Sequence, residues 1–550
     1  MSTISTQNTV GNRPIAGFTS EEAVAQARND RSMGDLIGQI DAGLAVIASG
    51  DQLECVYAVD ISAASSEQVN IPVLGTIAAV NPATLGDPSF CQDHGLRFAY
   101  VAGAMANGIA SVEVVEAMSR GGMLGFFGAA GLVVPQVEHA VDRLKASLGD
   151  EPFGVNLIHS PNESAVEMAI ADMMLDKGVH LIEASAFLKI TPAVVKYRLT
   201  GIHRAEDGTM VTPNKIVAKV SREELAEKFF SPAPEKIVQK LLDAGEITAE
   251  EAELSKHVPI AQDITAEADS GGHTDHRPAL SLLPTLLSLR DRMQTEHGYD
   301  VPLRVGLGGG ISTPESAVAA FVMGAAYIVT GTVNQACQES GTSDLVRQML
   351  SETKQADVAK APAADMFEMG VTVQVVKRGT MFAMRGNKLY ELYRAYNSLE
   401  EIPQAEREKL EKQVFRATFE ETWASTKAFF EERDPRQIVR AEENPKHKMA
   451  LVFRSYLGQA SMWANRGVED RKMDFQIWCG PAMGAFNEWA SGSFLEEYTQ
   501  RGVEVVGKNI LYGAAVLTRV QQARNLGLRV TATDLNLQPR SLDELSGFFE

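Results

Sequence analysis

From residue 96 to about 335, short apolar runs alternate with stretches whose apolar positions recur every three or four residues. Runs of four to six apolar residues next to glycine read as buried strands, and the longer period reads as amphipathic helix. Strands are predicted at 98–101, MLGFFG, FGVNLI, VHLIEASA, NKIVAKVS, AQDITAEAD, PLRVGLGGG and AAYIVTGT. Helices between them include SVEVVEAMSRGG, VEHAVDRLKASLG, SAVEMAIADMMLDKG and SAVAAFVMGA. Strand–loop–helix units in series give a parallel sheet with helical crossovers. About eight strands favour a closed (β/α)8 TIM barrel over an open doubly wound sheet.

The flanks have a different rhythm. Residues 20–48 read as helix, 52–61 as strand, and 71–90, with Pro72, Pro82 and Pro88, as irregular chain. Residues 1–95 are therefore expected to form a preface packed on a barrel domain of 96–370, with the first dozen residues loose. Residues 230–258 interrupt the barrel as a helical hairpin, with Pro232 and Pro234 at its start and Gly245 at its turn. It could cover the barrel mouth or decorate the periphery. Residues 371–550 are expected to be mainly helical, ending in a polar tail from about Asp534. The C-terminal helices are expected either to cover the barrel or to form a homodimer interface.

Composition narrows the function classes. The chain has 550 residues, 45% hydrophobic and 22% charged, ordinary for a globular protein. A net charge of −20 repels nucleic-acid phosphates and anionic membranes. No apolar run reaches the roughly 18 residues that span a bilayer, and the start of the chain lacks a signal-peptide pattern. Four cysteines with no CxxC make no disulfide framework. The expectation is a cytoplasmic protein with no membrane span and no nucleic-acid partner.

The glycine loops carry the strongest chemical signal. In VGLGGGISTPES an apolar run ends in Gly308, Gly309 and Gly310, followed by the cap residues Ser312 and Thr313 and by Pro314. Consecutive glycines let main-chain N–H groups point at an anion, and a helix start adds positive dipole. Roughly 20 residues on, YIVTGT repeats the theme with Gly331 and Thr332; loops after barrel strands seven and eight commonly form a phosphate site. Neither loop fits GxGxxG or GxxxxGK[ST]. Earlier, VAGAMANG places Gly103, Ala104, Met105 and Ala106 after a strand, small enough for a flat ring to lie against the backbone. Asn156 is an amide inside an apolar strand, suited either to a polar ring edge or to a structural bond with a neighbouring loop.

The segment ADSGGHTDHRP puts Asp269, His273, Asp275 and His276 on one strand-end loop, where barrel enzymes keep their chemistry. Gly271 and Gly272 allow close approach of a ligand, with His273 beside it as a proton donor or acceptor. A metal reading is disfavoured because flanking glycines leave the geometry loose and no third ligand cluster is evident. A surface loop with incidental histidines is the remaining reading.

VAGAMANG, GGMLGFFG, FGVNL, DSGGH, GLGGGIST and VTGT, in that order, resemble the FMN-dependent enoyl reductase and nitronate monooxygenase family across about residues 98–335. YVAGAMANGIAS, ITAEADSGGHTDHRP and DFQIWCGPAMGAFN resemble the PfaD-type enoyl reductases of polyunsaturated fatty acid and polyketide synthases over nearly the whole chain. The resemblance implies that Ala104, Met105 and Ala106 lie along the isoalloxazine ring of FMN and that Asn156 bonds its polar edge. It implies that Gly271, Gly272, Gly308, Gly309, Gly310, Gly331 and Thr332 hold the phosphate, and that His273 is the active-site histidine. Ser270 stands where the family loop usually has alanine, and the 230–258 insertion is absent from smaller members. The implied activity is NADPH-dependent reduction of trans-2-enoyl thioesters on acyl carrier protein, with no metal. Nitronate oxidation and a non-catalytic scaffold are the alternatives. A carrier dock is expected among Lys377, Arg378, Arg385, Lys388 and Arg394, which could equally be a solvated helix face.

Overall fold

The computed structural model describes residues 16–28, 32–50, 52–63, 65–161, 164–272, 274–531 and 535–549. The first dozen residues, His273 and Asp534 lie outside them. The chain starts with an antiparallel sheet of β1 (Gly17–Thr19), β2 (Leu44–Ser49), β3 (Gln52–Tyr57) and β4 (Ile71–Ile77), in the order β1-β4-β2-β3. The expected helix over 20–48 is instead two short helices, Glu21–Ala27 and Met33–Gly38, followed by β2. β2 is covered on both faces: Ala45 and Ile47 pack with Val24 and Ala27, while Leu44 and Val46 join the main core. A strand buried on both sides is continuously apolar, and such a run does not separate strand from helix.

The expected irregularity of 71–90 is also corrected. Pro72 lies at the start of β4, Pro82 opens a short 3-10 turn, and Pro88 opens the helix Pro88–His94 capped by Asp87. All three prolines occupy element starts, where a missing N–H costs little.

Eight parallel strands then close a barrel: β5 (Tyr100–Ala102), β6 (Leu124–Phe127), β7 (Gly154–Ile158), β8 (Leu181–Ser185), and, after a small hairpin of β9 (His203–Arg204) and β10 (Met210–Val211), β11 (Lys215–Val220), β12 (Asp263–Glu267), β13 (Arg304–Gly308) and β14 (Ile328–Thr330). The expected α/β barrel is what the chain forms. Its N-terminal mouth is sealed by the helix Pro88–His94. His94 Nε2 lies 2.9 Å from Asp263 Oδ2, and Arg304 donates to Asp263 Oδ1 at 2.6 Å and to Asp93 Oδ2 at 2.7 Å. Burial raises the Asp263 pKa, but Arg304 and His94 outweigh it and bring the pKa down to about 2. A carboxylate whose native pKa is depressed stabilises the fold above its unfolded range and loses that contribution as pH falls through the native value. Asp263→Asn is expected to cost about 3 kcal/mol at neutral pH because Arg304, 1% exposed, loses the buried one of its two carboxylate partners and keeps only Asp93. Its denaturant midpoint is expected to approach the parent's as pH drops from 5 to 3; a constant difference would contradict the assignment.

The eighth position of the outer helical ring is not filled in sequence order. Directly after β14 comes the one-turn helix Thr332–Gln335, and the next helix, Asp344–Ser351, packs on Pro445–Arg466 and Ala482–Ala490. The place between the helices Pro314–Val322 and Val112–Arg120 is taken by Val503–Asn525, from the far end of the chain. Close contact depends on missing side chains: a Cβ on Gly513 would lie 2.4 Å from Pro314 Cγ. The same helix carries the N-terminal sheet region, with Gln522 Oε1 accepting from Ala78 N at 3.2 Å and Tyr512 Oη donating to Gly38 O at 2.9 Å.

The insertion forms the helices Glu235–Asp243 and Ala249–Leu254. They pack on the outer helix Pro192–Leu199 and the β9–β10 hairpin, tied by Lys196–Glu246 and by Glu251 accepting from Gly201 N, so the peripheral reading holds. Beyond the barrel, β15 (Val358–Pro362) and β16 (Thr372–Val376) form an antiparallel ribbon, followed by the expected helices around a second core that includes Phe367, Phe382, Phe453 and Tyr456. The expected polar tail docks instead: Leu545 is buried and the Phe549 ring lies 5.2 Å from Phe98. Its apolar residues are sparse, and Leu535, Leu537, Leu545, Phe548 and Phe549 pack on the main core. Among the described residues no helix is long and apolar enough to cross a membrane.

The cation run after the barrel does not form one free patch. Arg385 pairs with the fully buried Asp474, Lys388 Nζ is 3.2 Å from Glu406, and Arg378 lies 3.8 Å from both Glu352 and Asp357. Three of the five are thus partly neutralised by local carboxylates, and the expected dock is not supported by their placement.

Candidate active site

The C-terminal ends of the barrel strands open into one cavity of about 1210 Å³, counting the part open to solvent. Ala104, Met105 and Ala106 line it from the loop after β5, and Asn156 from β7. Gly271 and Gly272 follow β12, Gly308, Gly309 and Gly310 end β13, and Gly331 and Thr332 follow β14; all line the same space. The residues expected to hold a cofactor therefore meet at one place, while Asp275 and His276 are not among the lining residues.

Local geometry explains the residue types. Gly309 has φ +89°, and a Cβ there would lie 2.6 Å from Ala268 O, so this loop lies directly on the one after β12. Among the described residues, nothing accepts from the main-chain N–H of Gly309, Gly310 or Gly331. Thr313 caps the helix Pro314–Val322, as its sequence suggested. Asn156 spends both Nδ2 hydrogens on the next strand, 3.0 Å to Glu183 O and 3.0 Å to Ser185 Oγ. Both bonds go to β8 and not to a neighbouring loop, and what Asn156 retains for a ligand is the acceptor Oδ1.

The cavity floor carries a charge cluster that the sequence pattern did not single out. Lys219 on β11 lies 3.7 Å from Glu183 Oε2 on β8 and 3.3 Å from Glu267 Oε1 on β12. Glu183 Oε2 also accepts from Ala104 N at 3.1 Å. Glu183 is fully buried and its Oε1 has no partner; an ideal Cβ on Gly103 would sit 3.4 Å from that atom. Burial raises the Glu183 pKa against the pull of Lys219, while the two carboxylates outweigh burial and raise that of Lys219. The available signal was the one that marked Asn156: a polar residue inside each of three apolar strands, VHLIEASA, KIVAKVS and ITAEAD.

Lys219→Met leaves Glu183 and Glu267 without their cation. It is expected to cost roughly 3–5 kcal/mol at pH 8, the usual result of breaking a buried pair. A native pKa raised above the unfolded value gives stability at low pH that is lost as pH rises through it. The deficit relative to the parent is therefore expected to shrink on acidification to pH 5, and Glu183→Gln in the same chain to recover part of it. Urea melts at the two pH values check this; equal deficits would refute it.

The histidine loop is arranged by neighbours outside the barrel. Asp269 Oδ1 lies 2.7 Å from His276 Nδ1 and accepts from Gln374 Nε2 on β16 at 2.7 Å. Asp275 instead pairs with Arg222 at 2.6 Å and accepts from Ser221 Oγ at 2.7 Å. Among the described residues, no three His, Cys, Asp or Glu side chains are grouped to hold a metal. The C-terminal region adds Trp478, Gly480 and Ala482 to the cavity lining. These were legible only as part of the DFQIWCGPAMGAFN resemblance and were not expected at the site.

Unpartnered main-chain donors on two glycine loops suit an anion. The small-residue wall at 104–106 leaves room for a planar ring, and the ionic floor offers polar partners beneath it. A phosphorylated heterocycle fits this set. Residues 93–378 match the family model described as nitronate monooxygenase, and residues 396–475 match that of the inserted helical domain of [acyl-carrier-protein] S-malonyltransferase. A polyunsaturated fatty acid synthase subunit of Thraustochytrium sp. is 50% identical over 82% of this chain and 31% of its own length. Polyketide biosynthesis protein PksE of Bacillus subtilis is 45% identical over 83% of this chain and 59% of its own length. The crystal structure of the enoyl reductase domain of MlnA, from the macrolactin cluster of Bacillus amyloliquefaciens, superposes with a TM-score of 0.77 at 40% identity, covering 80% of this chain and 99% of that one. The chain thus spans less than two thirds of these curated relatives but almost all of that domain. The barrel, its strand-end cavity and these matches place the chain in the nitronate monooxygenase family and, within it, among the PfaD-type enoyl reductases.

Proposed function

We propose that the cavity binds FMN and that the protein reduces trans-2-enoyl thioesters on an acyl carrier protein at the expense of NADPH, in polyunsaturated fatty acid or polyketide synthesis. The observation that carries the reading is the convergence of the small-residue loop and the glycine loops on one strand-end cavity, in a chain 40% identical to an enoyl reductase domain. Gly271, Gly272, Gly308, Gly309, Gly310, Gly331 and Thr332 would hold the phosphate through main-chain N–H groups and the Thr332 hydroxyl. Ala104, Met105 and Ala106 would flank the ring, and Asn156 Oδ1 would accept from a ring N–H. When bound, FMN supplies the relay of a hydride from NADPH to the β-carbon of the alkene. His273 would give a proton to the α-carbon, so that NADPH, one proton and the enoyl thioester become NADP+ and the saturated thioester. Holding alkene and cofactor in register is the orientation term.

Two matches support a carrier-bound substrate: the helical domain of a carrier-dependent malonyltransferase over 396–475, and the synthase subunits among the relatives. The match of the barrel to nitronate monooxygenase favours a second reading, oxidation of nitronates by oxygen. Anaerobic mixing with NADPH and then crotonyl thioester separates them. Bleaching of the flavin colour followed by its return supports the reductase. A coloured protein that ignores the thioester but consumes oxygen with a nitroalkane supports the oxidase, and a colourless protein that FMN cannot reconstitute ends both.

A further inference from the structure

The barrel provides the floor of the cavity, and a segment from far along the chain provides its roof. Residues 476–479 run beside β16 as a third strand of the ribbon: Val375 and Trp478 form an antiparallel bridge, Val376 N donates to Ile477 O at 2.9 Å, and Cys479 N donates to Gln374 O at 3.1 Å. The segment then presses onto the loop that leads to His273. A Cβ on Gly480 would lie 3.2 Å from Gly271 N, and one on Gly271 would lie 3.2 Å from Cys479 N. Glycine on both sides lets the two main chains touch. Gly480 N also donates to Thr332 Oγ1 at 3.4 Å. The roof therefore rests on the loops after β12 and β14.

Trp478 is the large side chain this roof contributes to the cavity. It is half-buried. With the Gln476 amide oriented to satisfy both its neighbours, Gln476 accepts from Trp478 Nε1 and donates to Leu457 O, each at 2.8 Å. The indole N–H is thus spent on the protein, and what Trp478 can offer a ligand is its aromatic surface. Trp478 lies outside residues 93–378, so it belongs to this chain's C-terminal addition and not to the barrel portion that matches the family.

We infer that Trp478 is a specificity-determining residue, the wall against which the planar, conjugated part of an α,β-unsaturated acyl thioester lies. The inference rests on the reductase reading above. A flat cofactor on the strand ends would lie on the floor, and an enoyl thioester presented to it would lie under the roof, beside Trp478. A conjugated enoyl thioester is flat and weakly polar there, matching an aromatic face with no hydrogen bond to give. The close approach of Gly480 and Gly271 sets this wall against the loop that follows β12.

Trp478→Ala and Trp478→Phe test it in the full-length holoprotein. Trp478→Ala is expected to raise KM for crotonyl and longer enoyl thioesters roughly tenfold, while FMN retention and the rate of bleaching by NADPH stay within about twofold of the parent. Trp478→Phe is expected to keep most of the parent's KM. Binding of butyryl thioester to the oxidised protein, read as a perturbation of the flavin absorbance, should weaken in parallel and needs no turnover. An unchanged KM and unchanged butyryl binding in Trp478→Ala would overturn the inference, as would loss of FMN in both variants, which would make Trp478 part of the cofactor site. A parent that bleaches with NADPH yet neither binds nor reduces any acyl thioester overturns the reductase reading itself. A parent that works normally with an indifferent Trp478→Ala overturns only this proposal.

Discussion

His273→Ala is expected to hold FMN as tightly as the parent and to bleach with NADPH at an unchanged rate, but to reduce an enoyl thioester about 10²–10⁴-fold more slowly. The split follows from what each half-reaction asks of the chain. Bleaching needs the cofactor seated and its ring accessible, and the groups proposed for that are main-chain donors, small residues and Asn156. Reduction of the alkene also needs a proton at the α-carbon. Imidazole is the side chain whose ordinary pKa suits giving it near neutral pH. Gly271 and Gly272, just before His273, line the cavity, and Gly271 is clamped under Gly480. Single-turnover mixing measures both rates in one sample. Equal slowing of both would mean that the histidine supports the cofactor and not the proton transfer. Unchanged rates would remove it from the chemistry, and the Asp269–His276 pair, 2.7 Å apart on the same loop, would be the next group to vary.

The barrel was legible because most of its strands are marked locally by a short apolar run, a glycine or small-residue exit and a helix after it. The glycine loops were legible for the same reason, since main-chain anion sites require runs of small residues that little else explains. Contributions from a distance were not. The helix Val503–Asn525 completes the helical ring about 170 residues after β14, and only packing marks, such as Gly513 against Pro314, give it away. Trp478 reaches the cavity through a strand pairing with β16 that no local period predicts. The floor was half legible. Asn156 stands out as a polar residue in an apolar strand, while Glu183, Lys219 and Glu267, which obey the same rule on adjacent strands, form a cluster only once β8, β11 and β12 are placed side by side. The N-terminal sheet leaves no local mark because β2, covered on both faces, carries no alternation. Both the roof residue Trp478 and the helix Val503–Asn525 that completes the ring come from beyond residue 370.

Gly331→Leu offers the cleanest test of the phosphate loops, because it separates cofactor loss from misfolding. Gly309 is a poor choice: its φ of +89° is strained for leucine, and a Cβ would strike Ala268 O at 2.6 Å, so loss of colour would have two causes. Gly331 has φ −131°, outside the left-handed region, and nothing lies within 4 Å of a Cβ built there. The fold can take a side chain at that point, but the side chain occupies space the phosphate needs and screens the Gly331 N–H. The bonds from the Gly331 N–H and the Thr332 hydroxyl to a displaced phosphate, at about 1.5–3 kcal/mol each, would go, or roughly 10²–10⁴-fold in FMN affinity. The apo forms of parent and variant are expected to melt within a few degrees of each other. Added FMN is expected to raise the parent's melting temperature and leave the variant's where it was, since a ligand stabilises only the state that binds it. A yellow Gly331→Leu protein, melting higher with FMN as the parent does, would move the anion away from the loop after β14, and with it the orientation assigned to the whole cofactor.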